Sequence, residues 1–220
     1  LRVSPGLSGT LQGFFWATGA IALVAAMLTF AARSSFAGLE DSDSFSDLVD
    51  WADQHDGATA LAGFTYVLWL VVFILLIIWT YKAHTVTQQL WAGERTWARG
   101  WSVGAWFIPI ANFVLPKLVL TEIEKIAAAP RQGGRTSPEW RSQSTSGIGW
   151  VWWILLVIGL VGAGAGTALL GPDDELLFKT EDEILRGYLV MGLGFLVWAV
   201  SCVFGALFIR RMGKEFARPA

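Results

Sequence analysis

The chain has 220 residues, 54% of them hydrophobic and only 15% charged, with a formal net charge of −2. A soluble domain carries about a quarter charged residues, whereas here a mean hydropathy of +0.51 accompanies long apolar runs between clustered charges. That pattern excludes an ordinary water-soluble globule and predicts an all-α integral membrane protein.

The chain opens on Leu1 rather than methionine, so an N-terminal piece is expected to precede it. The first apolar run, residues 13–32, is long and has no small-residue cleavage site, so it reads as a span and not as a leader. The segment that follows, 33–59, holds Glu40, Asp41, Asp43, Asp47, Asp50, Asp53 and Asp56 against Arg33 alone. Its carboxylates lack the turn glycine and terminal glutamate of an EF-hand. Phe45, Leu48, Val49 and Ala52 predict a short amphipathic helix over the outer face.

A second uncharged run covers 60–81. The long middle region, 82–146, is basic, with Lys82, Arg95, Arg99, Lys117, Lys125, Arg131, Arg135 and Arg141. Runs at 147–170 and 187–209 complete four predicted transmembrane helices, each of roughly 20 residues or more, enough to cross about 30 Å of hydrocarbon. Between them, 171–186 is acidic again, with Asp173, Asp174, Glu175, Glu181, Asp182 and Glu183; the tail carries Arg210, Arg211, Lys214 and Arg218. Thirteen of the sixteen basic residues therefore fall in the N-terminus, the middle and the tail. The positive-inside rule puts those segments and both termini in the cytoplasm of an inner (plasma) membrane, with the acidic loops outside.

Inside the middle region lies "GWSVGAWFIPIANFVLPK", uncharged until Lys117 and interrupted by Pro109 and Pro116. A single crossing there would put one basic cluster outside and reverse everything downstream. The expectation is a cytoplasmic-side re-entrant or interfacial helical hairpin over about 100–129; a proline-kinked fifth span is the alternative. Each proline removes an amide donor and disfavours helix before it. Asn112 is placed to bond the freed backbone, and Pro116 suits the first turn of a new helix. Trp101, Trp106, Pro109, Asn112, Pro116, Lys117 and Glu122 are the candidate pocket residues, with Glu122 expected opposite Lys125 or Lys117. Trp16, Trp79, Trp91, Trp97, Trp101, Trp140, Trp150, Trp152 and Trp153 cluster at or near the inner interface, where indole rings anchor. The tract 130–147, rich in Gly, Ser and Pro, reads as a flexible loop near anionic headgroups.

The remaining chemistry is sparse. His55, His84 and Cys202 fall in an outer loop, at an inner helix end and within the last span, so they cannot meet in one metal site; His84 alone could ligate a haem, but a lone histidine at a helix end reads first as an interfacial hydrogen-bonder, and no metal and no cofactor are expected. No serine or cysteine is paired with a base. The four spans carry no charge, which argues against a pump or a carrier of charged substrates. Small residues mark helix contacts: Gly162 and Gly166 with Gly159 one turn earlier, and Ser201 with Gly205 on the last span.

The stretch "GWSVGAWFIPIANFVLPKLVLTEI", preceded by "WTYKAH", resembles an actinobacterial family of multi-pass membrane proteins with a domain of unknown function. The matching positions are Trp101, Val103, Gly104, Trp106, Phe107, Pro109, Asn112, Pro116 and Glu122; Arg99 and Ala105 depart from its hallmark. The resemblance covers roughly 60–210 and brings no assigned activity. It implies an actinobacterial inner membrane, where some small multi-pass proteins are accessory subunits of larger complexes, including the respiratory supercomplex that joins a cytochrome bc complex to an oxidase. With no catalytic or transport residues beside an acidic outer face, small-residue helix faces and a Trp-lined hairpin, the expected function is a non-enzymatic scaffold or accessory subunit. Its expected partners are membrane lipids and other integral membrane proteins, with no nucleic acid. The alternative is a transporter or channel for a neutral or lipidic substrate gated by the hairpin.

Overall fold

The computed structural model describes residues 3–39, 44–172, 176 and 178–218. Arg2, Glu40, Asp41, Asp43, Asp173, Asp174 and Glu175, which entered the charge pattern, lie outside the described residues. Among the described residues four helices are long and apolar enough to cross a membrane. They are α1 (Pro5–Gly38), α2 (Phe45–Leu90), α5 (Gly147–Leu170) and α6 (Glu181–Ala217). Between α2 and α5 come α3 (Trp101–Gly104), a 3₁₀ turn at Ala111–Phe113, α4 (Leu115–Ala128), a two-stranded ribbon and a second 3₁₀ turn. The four uncharged runs are helical because apolar surroundings leave each backbone amide only its own segment to bond.

The helices outrun the apolar runs that specify them. α2 has 46 residues, about 69 Å at 1.5 Å per residue, roughly twice a hydrocarbon core. Of the segment 33–59, read as an outer loop with its own short helix, residues 33–38 end α1 and residues 45–59 begin α2. Phe45, Leu48 and Val49 are exposed, and the buried face is instead His55, Ala58 and Ala62. Once a helix is nucleated each further residue adds one hydrogen bond, so polar residues alone do not end it. Residues 181–186, read as loop, likewise form the first turns of α6.

Packing divides the chain into two compact units. The first comprises residues 1–15, 70–153 and 204–220. Its core is aromatic. Trp152 meets Phe15 edge-on at 5.7 Å and stacks on Phe208 at 5.3 Å. Gly205 makes room for this: a Cβ there would lie 2.7 Å from Phe15 and 2.8 Å from Trp152. Trp79 is fully buried against Phe216 and donates its indole N–H to Ser8 Oγ at 3.1 Å.

The second unit comprises residues 16–69 and 154–203. Here α5 and α6 approach closely through small residues. A Cβ on Gly159 would lie 2.7 Å from the Trp198 backbone, one on Gly162 would be 3.2 Å from Gly194 Cα, and one on Gly166 would strike the Met191 backbone. The α6 positions that face these three glycines are Met191, Gly194 and Trp198; Ser201 is buried, and Gly205 makes its own close contact with Phe15 and Trp152. Nearby, His55 Nδ1 lies 2.6 Å from the Tyr188 hydroxyl, which also accepts the Trp51 indole N–H at 3.2 Å.

Candidate functional site

The middle region is the part of the first unit with the densest polar chemistry. Its segment 100–129 is not one continuous helix: α3 has four residues and α4 fourteen, the latter about 21 Å long and too short to cross a bilayer. Between them the chain reverses at Ile110, which has φ 64° and ψ −51°. The Ala111 N–H donates to the Pro109 carbonyl at 2.7 Å, which closes a γ-turn of the strained, positive-φ kind. Around this tip Phe107, Ile108, Ile110, Phe113 and Val114 are all exposed, Ile110 to 83%.

Pro116 sits in the first turn of α4, where its missing N–H costs nothing. The helix buries Val119, Leu120, Ile123 and Ile126, but it also buries three charged residues. Each of those three is managed differently.

Glu122 is 5% exposed and bonded at both oxygens. Arg95 Nε donates to Oε1 at 3.0 Å and the backbone N–H of Thr96 donates to Oε2 at 2.7 Å. Arg95 is itself held by Nη1 to Thr87 Oγ1 at 3.0 Å. The partner of Glu122 is therefore Arg95 and not Lys117 or Lys125. Such charge-assisted bonds are the strong ones, and here they pin residues 95–96, just beyond α2, onto α4. Nearby, His84 Nε2 lies 3.1 Å from the Trp97 carbonyl.

Glu124 Oε1 accepts the backbone N–H of Ser146 at 2.7 Å and its hydroxyl at 2.5 Å. Ser146 immediately precedes α5, so this carboxylate fixes where that helix starts. Lys117 is fully buried, with Nζ 4.9 Å above the Trp150 ring and 5.5 Å from that of Phe208. Its Nζ has no hydrogen-bond acceptor among the described residues. Burial lowers the Lys117 amine to about 8, the nearby Glu124 opposing the shift. Gly149 leaves it space, since a Cβ there would lie 3.0 Å from Nζ.

The loop 130–147 is folded back on these elements. Arg131–Gln132 pairs with Arg135–Thr136 through a two-residue turn in which Gly133 and Gly134 both have positive φ, as a tight hairpin of this hand requires. Arg131 donates to the Arg218 and Glu215 carbonyls at 2.6 and 2.7 Å, and Thr136 Oγ1 to the Ile126 carbonyl at 3.1 Å. A tract read as flexible is thus pinned at several points.

A cavity of about 410 Å³ opens on this platform, lined by Thr96, Trp97, Leu118, Thr121, Glu122, Lys125, Trp140 and Arg141. Glu122 forms one wall with its charge already matched. Lys125 donates to the Arg141 carbonyl at 3.0 Å, and the Arg141 guanidinium lies 5.0 Å from the Trp140 ring. The cavity therefore offers two indoles and two cations around a neutralised carboxylate.

Of the residues marked from sequence, only Glu122 lines it. Trp106 is buried against Phe73 and Trp153, at 5.5 and 5.8 Å. Trp101 packs on Trp97, Pro109 is exposed beside the tip, and Asn112 is half-buried away from the cavity. Lys117 belongs to the separate aromatic cluster. Arg95, Thr96, Trp97, Trp140 and Arg141 are not among the candidate pocket residues, although the sequence places Trp97 and Trp140 at the inner interface; the charge pattern gives sidedness but not which loop folds onto which helix.

Residues 40–214 match the model of the family described as a domain of unknown function (DUF4328), and the chain belongs to that family. No curated protein and no solved structure matches the chain.

Proposed function

We propose that this DUF4328 protein is a non-enzymatic scaffold or accessory subunit of a larger complex in the inner (plasma) membrane, recognising its partner through the cavity at Glu122. In this reading both termini and the platform 82–146 face the cytoplasm, as the distribution of thirteen basic residues favours. The exposed apolar tip at Phe107–Val114 supports its insertion into the same leaflet as a re-entrant hairpin. Five large apolar side chains in water would be costly, and in lipid they are not.

The observation that carries the proposal is the state of Glu122. A general acid or base needs a proton to exchange, and this carboxylate is committed at both oxygens to Arg95 and Thr96. The platform is built to hold shape. Its cavity suits a side chain from another polypeptide, an aromatic or carboxylate group between Trp97, Trp140, Lys125 and Arg141. A respiratory supercomplex is the kind of assembly that the resemblance to actinobacterial proteins suggests.

The test is purification of the tagged protein in a mild detergent, with mass-spectrometric identification of what accompanies it. A partner retained by wild type and lost from Trp140→Ala and Arg141→Glu supports the proposal. A lone monomer, with no accompanying membrane protein, removes it. One observation favours the transporter reading, namely a cavity beside Glu122. That reading requires the cavity to extend to the tip, and Asn112 does not line it.

A further inference from the structure

We infer that the carboxyl-terminal end of α6 holds a binding site for the phosphate headgroup of an anionic phospholipid. A cavity of about 340 Å³ there is lined by Ile148, Leu207, Arg210, Arg211 and Lys214. The four α6 residues recur at i, i+3, i+4 and i+7, so they form one stripe along the helix. Ile148 joins them from the first turn of α5, where the helix end presents amide N–H groups and its positive dipole.

The order of chemistry along the stripe matters. The uncharged run of the span ends at Ile209, and three cations follow within five residues. Leu207 is 37% exposed just before them. Apolar surface followed at once by clustered positive charge is the profile of an acyl chain joined to a phosphate.

The cations have no competing anion at the site, since no carboxylate is among the described lining residues. Glu215, the nearest in sequence, is paired with Arg218 at 2.9 Å and its carbonyl accepts from Arg131. Inorganic phosphate satisfies the cations alone; a phospholipid also covers Leu207 and Ile148, so the lipid is the occupant.

This inference names one lipid contact for the embedded protein proposed above and rests on the four helices lying in the membrane. It fails independently of the scaffold reading, which is decided by co-purifying proteins and not by lipids. The experiment titrates the purified protein with phosphatidylglycerol against a phosphatidylcholine background and counts retained lipid by native mass spectrometry. Retention of phosphatidylglycerol over phosphatidylcholine is expected, weakened roughly twenty-fivefold in Arg210→Gln/Lys214→Gln at about fivefold per cation. The double variant Lys82→Gln/Arg135→Gln, which loses the same charge at exposed positions outside the cavity, is expected to match wild type. Leu207→Ser is expected to weaken the lipid, and millimolar inorganic phosphate to leave it bound. Equal retention of the two lipids by wild type overturns the site without recourse to any variant. Equal loss in both double variants reduces it to net charge, and displacement by inorganic phosphate makes it a site for the free anion; either result overturns the proposal.

Discussion

Replacing Lys117 with methionine should stabilise the protein, and should remove a rise in stability between pH 8 and pH 10.5. Lys117 has its amine lowered from 10.5 to about 8 by burial. Below pH 8 the amine is protonated in both folded and unfolded chains, and the folded state carries the full burial cost of about 3 kcal/mol, taking 1.36 kcal/mol per unit. As pH rises through 8 the folded protein releases the proton while the unfolded chain keeps it. Stability therefore increases until about pH 10.5 and is then flat. Methionine keeps the straight apolar stem and removes the charge. It also forfeits the approach to Trp150 and Phe208, worth about 1 kcal/mol. Glu124 keeps its bonds to Ser146, so the net gain at pH 7 is about 2 kcal/mol. Thermal unfolding in detergent, followed by tryptophan fluorescence, should then show a midpoint raised by about 4–8 °C. Subtracting the variant's pH profile from the wild type's isolates Lys117 from the other lysines. A lower midpoint for Lys117→Met at pH 7, or identical pH profiles between 8 and 10.5, refutes the reasoning.

Glu122→Ala leaves Arg95 buried without its carboxylate and should cost about 3–5 kcal/mol, seen as a large fall in the same thermal midpoint. Gly159→Ala places a methyl 2.7 Å from the Trp198 backbone and should cost about 1–3 kcal/mol by overpacking. Gly164→Ala meets only the Tyr66 hydroxyl at 3.9 Å and should stay within about 1 kcal/mol of wild type. Ile110→Asp puts a charge on the apolar tip and should reduce quenching of nearby tryptophans by lipid-borne quenchers, with the thermal midpoint as a control for folding.

How much was legible in the sequence follows from how local the physics is. The four apolar runs could be read directly, because a segment in lipid must satisfy its own backbone bonds. Their ends could not: Asp47 to Asp56 continue α2 because nothing there breaks a helix, although the charges suggest a loop. The spacing of Gly159, Gly162 and Gly166 points to a close approach by another helix, and each lies against α6. Which residues they meet depends on the relative height of α5 and α6, which no local pattern encodes, and the facing positions are Met191, Gly194 and Trp198. The bond between Arg95 and Glu122 joins residues 27 apart across a loop folded onto α4. Lys117 and Lys125, nearer in sequence, are both turned to other partners. The break at Pro109 and Pro116 was visible, whereas the γ-turn at Ile110 and the cavity walls at Trp97 and Trp140 arise only once the loops are packed.

The sidedness of the middle region can be measured directly with a membrane-impermeant maleimide, in a Cys202→Ser background carrying Glu94→Cys or Arg135→Cys. These exposed positions flank segment 100–129 without touching the Arg95–Glu122 pair. A hairpin that dips in and returns gives labelling of both cysteines in inside-out vesicles and of neither in intact cells. Labelling of one from each side means that the segment crosses, and contradicts the topology proposed for this protein.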